Sequence, residues 1–338
     1  MTSSRARFQH YRDEHWPAIR AVIDRAVVDG GLKNSSLAQM LDYQMGTGGK
    51  RLRAVLPLMV ADVLGKDIAP MIPFGAACEL IHNATLVHDD LQDGDRVRRG
   101  QPAVWTHFGS AQAINLGDAL LYLAPRCLNY IEVDPGRRWE VASRLFGDVL
   151  GVIDGQEREF ALEFCSSTRG DYERMVVGKT SGLFSLPMVG AAMLCGAGED
   201  LIGALDGASK EMGVIFQLQD DIVDLYGEKG RSLRGGDLRE GKISALVVAF
   251  RDLAPDQDVE RLRQILEADR EATDKAEVDW AATRFRQSGA LSVVAEAIEE
   301  RRQRALSADL LGDHQNLQGL IDGLIDVFLE PIQDVFES

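Results

Sequence analysis

The chain has 338 residues, 45% of them hydrophobic and 27% charged, the balance of a soluble globular protein with enough length for a large core. Its 53 Asp and Glu outweigh 37 Lys and Arg, giving a formal net charge of −16. That charge repels nucleic acid and anionic lipid and so excludes both as natural partners, but it leaves room for a local basic pocket that takes small phosphorylated ligands.

The N-terminal stretch MTSSRARFQHYRDEHW has no apolar run after its charges, so it does not read as a secretory signal. Period-2 alternation bounded by turn residues is absent, which argues against strands. Apolar residues at three- and four-residue intervals instead predict helices over 52–64, 72–91, 111–131, 139–164, 183–195, 201–225 and 243–253. Several are apolar round most of their circumference and belong inside a bundle. The run 183–195 is interrupted by Pro187 and falls short of the ~20 residues a membrane span needs, so it reads as a core helix and no integral membrane segment is expected. Breaks fall at 46–49, 94–102, 134–136, 166–170, 196–200 and 227–241. From 256 onward the chain is more charged but keeps the helical pattern. The four cysteines, Cys78, Cys127, Cys165 and Cys195, form no CxxC pair, which excludes a disulfide framework and a zinc site and suits a reducing cytoplasm. The expectation is one all-α domain spanning 1–338, built from a dozen or so helices.

Two copies of DDxxD stand out: Asp89, Asp90 and Asp93, then Asp220, Asp221 and Asp224. Each follows an apolar helical run and so falls at a helix C-terminus. There i and i+4 share a face, stacking Asp89 on Asp93 and Asp220 on Asp224. Like charges so placed destabilise a helix by a few tenths of a kcal/mol and face the negative end of its dipole. Something positive must offset that cost, and hard carboxylate oxygens favour Mg²⁺, shared between carboxylates and a substrate phosphate. Basic residues cluster near glycines: Lys50, Arg51 and Arg53 after Gly48 and Gly49, Arg98 and Arg99 after the first cluster, and Lys179 in GKTSG with Thr180 and Ser181. Arg forks onto phosphate oxygens, Lys acts as a point charge, and Gly permits close backbone approach. GKTSG lacks the upstream Gly and the preceding strand of a P-loop, so a P-loop NTPase is excluded.

The series GGKRLR (48–53), ELIHNATLVHDDLQD (79–93), RRG (98–100), GDALL (117–121), GQERE (155–159), GKTSGLF (178–184), FQLQDDIVD (216–224) and GGDLREGK (235–242) resembles the trans-type polyprenyl diphosphate synthase family in order and spacing. The resemblance implies an all-helical bundle around a deep central cavity, the isoprenoid synthase fold, and a homodimer. It implies that Asp89, Asp90 and Asp93 on one wall, and Asp220 and Asp224 on the other, hold three Mg²⁺ ions and, through them, the diphosphate of an allylic substrate. Arg98, Lys179, Arg234 and Lys242 would contact that diphosphate. Lys50, Arg53, His82 and Arg99 would bind the diphosphate of isopentenyl diphosphate, and Lys179, Thr180 and Gln217 would act at the reacting centre. His82 also lies seven residues, two helical turns, before Asp89, on the same face. Two departures from the family pattern bear on site closure: EKGRSLRGGDL puts Arg231 or Arg234 where many members carry Lys, and the C-terminus PIQDVFES lacks a basic tail.

Product length follows from what lies below the first cluster. Thr85 and Ala84, one turn deeper, are small and leave the wall open. Ile81 and Leu80, ~5.4 Å further down, would form a floor. The expected product is therefore geranylgeranyl diphosphate (C20), with farnesyl or longer polyprenyl products as the alternatives. Two rival functions fit less well. A class I terpene cyclase would carry an N/D-x-x-S/T-x-x-x-E signature where the second DDxxD stands. A non-catalytic synthase subunit would have lost aspartates that are present here.

Overall fold

A computed structural model describes residues 4–227, 234–307, 311 and 314–337. Its helices are α1 (Ser4–Asp29), α2 (Ser36–Gly46), α3 (Leu52–Val63), α4 (Met71–Gln92), α5 (Val104–Phe108), α6 (Ser110–Cys127), α7 (Pro135–Phe160), α8 (Arg169–Val176), α9 (Gly182–Leu194), α10 (Glu199–Tyr226), α11 (Gly236–Arg239), α12 (Ala245–Leu253), α13 (Asp256–Glu267), α14 (Lys275–Gln287), α15 (Ala290–Ala305), α16 (Gln315–Leu329) and α17 (Gln333–Glu337). The all-α expectation holds. The only strands among the described residues form a two-residue hairpin, Val97–Arg98 against Gln101–Pro102, inside the expected 94–102 break.

Local chemistry explains where the elements begin. The expected break at 134–136 is instead the start of α7: the Asp134 carboxylate accepts from the Gly136 and Arg137 amides, and Pro135 opens the helix. Thr168 and Asp171 form a reciprocal capping box that starts α8. From there the helix runs without a break through a π-turn, Val177–Ser181, into α9. Helix α1 was not anticipated, because its apolar stripe (Phe8, Ile19, Ile23 and Ala26, all buried) is diluted by charge over 26 residues.

Helices α4 and α10 organise the interior. α4 packs on α1, α3, α6 and α9, while α10 packs on α9, α15 and α16. No helix among the described residues is long and apolar enough to cross a membrane. One ion pair lies deep in the core: Arg51, a left-handed residue (φ 54°) just before α3, donates to Glu79 of α4 at 2.8 Å and stacks over the Trp16 ring. Removing one partner strands the other charge in the core. Glu79→Ala is therefore expected to lower the unfolding free energy by about 3–5 kcal/mol, as read by denaturant melts. A loss below about 1 kcal/mol, the range of an exposed pair, would refute this.

Candidate active site

The C-terminal ends of α4 and α10 open onto one cavity of about 1280 Å³, open solvent included. Asp89 and Asp93 line it from α4, and Asp220 and Asp221 from α10. The first wall is charge-crowded. Burial pushes the Asp89 carboxyl up to about 6; Lys179 opposes the shift, while Asp93 and Glu159 add to it. Asp93 pairs with Lys242 at 2.7 Å through one oxygen, and its other oxygen is buried without a hydrogen-bond partner. Asp90 turns away from the cavity into a buried fork with Arg98, whose Nε donates to it at 2.8 Å.

On the second wall the three aspartates divide their tasks. Asp220 faces the cavity. Asp221 accepts three hydrogen bonds: from the Tyr172 hydroxyl (2.7 Å), the Gln217 amide (2.9 Å) and the Ala245 backbone N–H (2.8 Å). It thereby ties α8, α10 and the start of α12 together, and burial followed by the charge of Asp237 raises its pKa. Asp224 is buried behind the wall, where its carboxylate accepts the backbone N–H of Asp237 at 3.0 Å. Asp237 itself lines the cavity. The sequence reading gave it no role, although GGDLREGK contained it.

The basic residues sort in the same way. Arg53, Arg98, Arg99, Lys179 and Lys242 all line the cavity. Lys179 and Thr180 sit in the π-turn, a widened helical turn that recurs at functional sites. The Lys179 ammonium pairs with Glu159. Burial works against its charge, but Asp89 and Glu159 outweigh burial and hold its pKa above the ordinary value. Lys242 is raised further, again against burial, by Asp237, Glu159 and Asp93. Thr180 donates to the Gln217 carbonyl oxygen at 3.0 Å, so the chain Thr180–Gln217–Asp221–Tyr172 fixes which way the amide points.

Arg53 is half-buried, its guanidinium stacked over Phe184 and Phe216, and desolvation there lowers its pKa to about 10. Phe328 of α16 completes that aromatic group, 5.2 Å from Phe184 and 5.3 Å from Phe216. Burial and then the neighbouring Arg53 and Arg99 hold the His82 pKa well below its ordinary value, so the ring is neutral at pH 7, and its buried Nδ1 has no partner among the described residues. Lys50 is exposed and does not line the cavity, and Arg234 is exposed and paired with Asp279. Arg231 lies outside the described residues.

Below the first wall a second cavity of about 1060 Å³, open solvent included, lies among α4, α6 and α7. Thr85, Asp89 and Val152 border both cavities. Ile81, Leu121, Val149 and Phe160 line the second. Ala84 and Leu80 are fully buried in the core and border neither.

The donor set suits a hard divalent cation. All candidate ligands are carboxylate oxygens, Asp93 keeps one of them buried without a partner, and Asp89 is half-buried at the same wall. No three His, Cys, Asp or Glu side chains among the described residues gather into a ready cage. A Mg²⁺ ion that takes part of its coordination from water and phosphate needs none.

Residues 34–283 match the polyprenyl synthetase family model. The geranylgeranyl diphosphate synthase of Methanosarcina mazei is 35% identical over 209 residues, a match spanning 61% of this chain and 64% of that relative. The farnesyl diphosphate synthase of Geobacillus stearothermophilus is 31% identical over 288 residues, 82% of this chain and 95% of the relative. Among solved structures, geranylgeranyl pyrophosphate synthetase from Pyrococcus horikoshii superposes with a TM-score of 0.84 at 28% identity, covering 97% of this chain and 98% of that one.

Proposed function

This chain belongs to the polyprenyl synthetase family of transferases, and from that premise we propose that it condenses isopentenyl diphosphate head-to-tail with an allylic diphosphate. The observation that carries the reading is the single cavity on which both aspartate clusters and five cations, four of them half-buried, converge. Asp89 and Asp93, facing Asp220 and Asp237, would hold Mg²⁺, three ions in this reading. Bound there, the metal supplies positive charge to a departing diphosphate. Arg98, Lys179 and Lys242 lie where they can bind the same diphosphate. To do so, Lys179 and Lys242 leave Glu159 and Asp93, freeing those carboxylates for metal. Arg53, His82 and Arg99 form a separate positive end suited to the second diphosphate, with Lys50 at its rim. The neutral imidazole offers a hydrogen bond there without adding repulsion among the arginines.

Between the two ends, the Gln217 carbonyl oxygen and the Thr180 hydroxyl present dipoles to an allylic cation without a nucleophile strong enough to trap it. Phe216, Leu183 and Met175 line the same space and exclude water. The double bond of isopentenyl diphosphate attacks the cation, and the released diphosphate takes the proton. Purified protein with Mg²⁺, labelled isopentenyl diphosphate and each allylic primer is expected to give elongated prenyl diphosphates, and chelation by EDTA is expected to stop it. Cyclic hydrocarbon formed without consumption of isopentenyl diphosphate would refute the reading.

The proposed product is C20. The growing tail would pass Thr85 and Val152 into the second cavity, and Ile81 is the floor residue that this cavity reaches. Thr85→Phe is expected to shift the main product to C15 or shorter, and Ile81→Ala to add at least one isoprene unit. Chromatographic sizing checks both, and unchanged products in both variants would sink the assignment.

We also propose that the chain acts as one catalytic domain and as a homodimer. Phe146, Leu150, Ile153 and Phe160 are 44–66% exposed along one face of α7, beside exposed Ile114 and Tyr122 of α6. An apolar face of this size that water would otherwise cover fits a second copy.

A further inference from the structure

The loop between α13 and α14 reaches the site from outside. Arg270, in that loop, donates to the backbone carbonyl of Asp93 at 2.7 Å and to the Asp95 carboxylate at 2.9 Å. The same guanidinium meets Glu240 at 3.0 Å. Glu240 in turn meets Lys242 at 2.9 Å, and Lys242 meets Asp93 at 2.7 Å. One side chain therefore bridges the end of the first acidic wall to the 236–242 segment, which carries Asp237 and Lys242 of the opposite side. Around it the loop is fitted closely. Arg239 donates to the Thr273 carbonyl, and a Cβ at Gly241 (φ 69°) would lie 2.5 Å from the Leu266 carbonyl oxygen. Asp95 and Glu240 are nearly buried, while Arg270 is 41% exposed. The acceptors are thus built into the site, and the strap is laid over them.

We infer that Arg270 is a positioning residue that sets the spacing between the two acidic walls, and so the geometry in which Asp93, Asp237 and Lys242 meet a metal-bound diphosphate. The inference rests on the proposed function of those walls. A planar guanidinium can donate to the Asp93 carbonyl and the Asp95 carboxylate while pairing by charge with Glu240, whereas the single ammonium of lysine cannot hold the same geometry.

The test uses the full chain with Mg²⁺ and inorganic diphosphate as the probe, reading the rise in Tm as magnesium is titrated. Removing an outer partner of a metal site costs about tenfold or more in metal affinity. Arg270→Ala is therefore expected to raise the magnesium concentration for half-maximal stabilisation about tenfold. Glu240→Gln should move it in the same direction, and Arg270→Lys should recover part of the loss. Arg263→Ala, on α13 and paired only with Glu260 and Glu267 among the described residues, should leave it unchanged. A lower ligand-free Tm with unchanged magnesium half-saturation would make Arg270 a structural tie and overturn the inference. Wild-type protein that makes elongated products, beside an Arg270→Ala variant with wild-type magnesium dependence, overturns the strap alone. Wild-type protein with neither response overturns the proposed function and the strap with it.

Discussion

Asn at Asp89 or at Asp220 is expected to lower kcat about a thousandfold, the order of losing a preorganised charge partner at a developing anion. The two residues face one cavity from opposite helices, and in the proposed function each holds, through metal, one side of the same departing diphosphate. Stability should not follow activity. The Asp89 carboxyl is pushed up from 3.8 to about 6, first by burial, so between those values the folded chain keeps a proton that the unfolded chain has lost. The ligand-free fold is therefore penalised by this group as pH rises through that window, with the full penalty above about 6. An amide at position 89 carries no such penalty, and the Tm of the variant at pH 7 is expected to be no lower than wild type. The second wall predicts a ranking. Asp237→Asn should cost more activity than Asp224→Asn, because Asp237 faces the cavity while Asp224 lies behind it and holds the Asp237 backbone N–H. Turnover near wild type in both the Asp89 and Asp220 variants would refute the two-wall picture, and the reverse ranking would refute the division of labour on the second wall.

What could be read from the sequence follows from what periodicity and residue type encode. The apolar runs located α3, α4, α6, α9, α10 and α12 to within a few residues, because each carries an unbroken apolar face, which in α3 and α9 extends round most of the helix. Helix α1 escaped because burial of a single stripe leaves a mostly polar sequence. The DDxxD pattern identified the acidic residues but not their orientations. On one helical end, adjacent aspartates point in different directions, so Asp90 pairs inward with Arg98 and Asp221 becomes a three-way anchor. Asp237 lies inside the GGDLREGK motif, which does not encode its orientation, and Arg270 carries no local signature, since both meet the ends of α4 and α10 only in three dimensions. Leu80 and Ala84 show the limit of reasoning from helical spacing. Counting turns placed them beneath Asp89, but the face they present is packed against the core, and the second cavity is reached past Thr85 and Ile81.

The second large effect is expected at a residue with no side chain. Gly155 of α7 packs against the π-turn that carries Lys179 and Thr180. A Cβ there would lie 2.6 Å from the Gly178 carbonyl carbon and 2.7 Å from Lys179 Cα, and closer still to the Lys179 amide nitrogen. These are backbone atoms, which cannot swing aside as a flexible side chain would. Gly155→Ala must therefore push the π-turn away from α7. Displacing reacting groups by about 1 Å costs about a hundredfold in rate, and overpacking costs about 1–3 kcal/mol. The expected result is a kcat loss near two orders of magnitude together with a lower Tm. Gly147, two turns earlier on the same helix, has open space where its Cβ would go. Gly147→Ala should stabilise the protein by about 0.5–1 kcal/mol through helix propensity alone and leave kcat untouched. If both substitutions behaved alike, helix propensity would be the whole story, and close approach of α7 could not be what sets Lys179 and Thr180 in place.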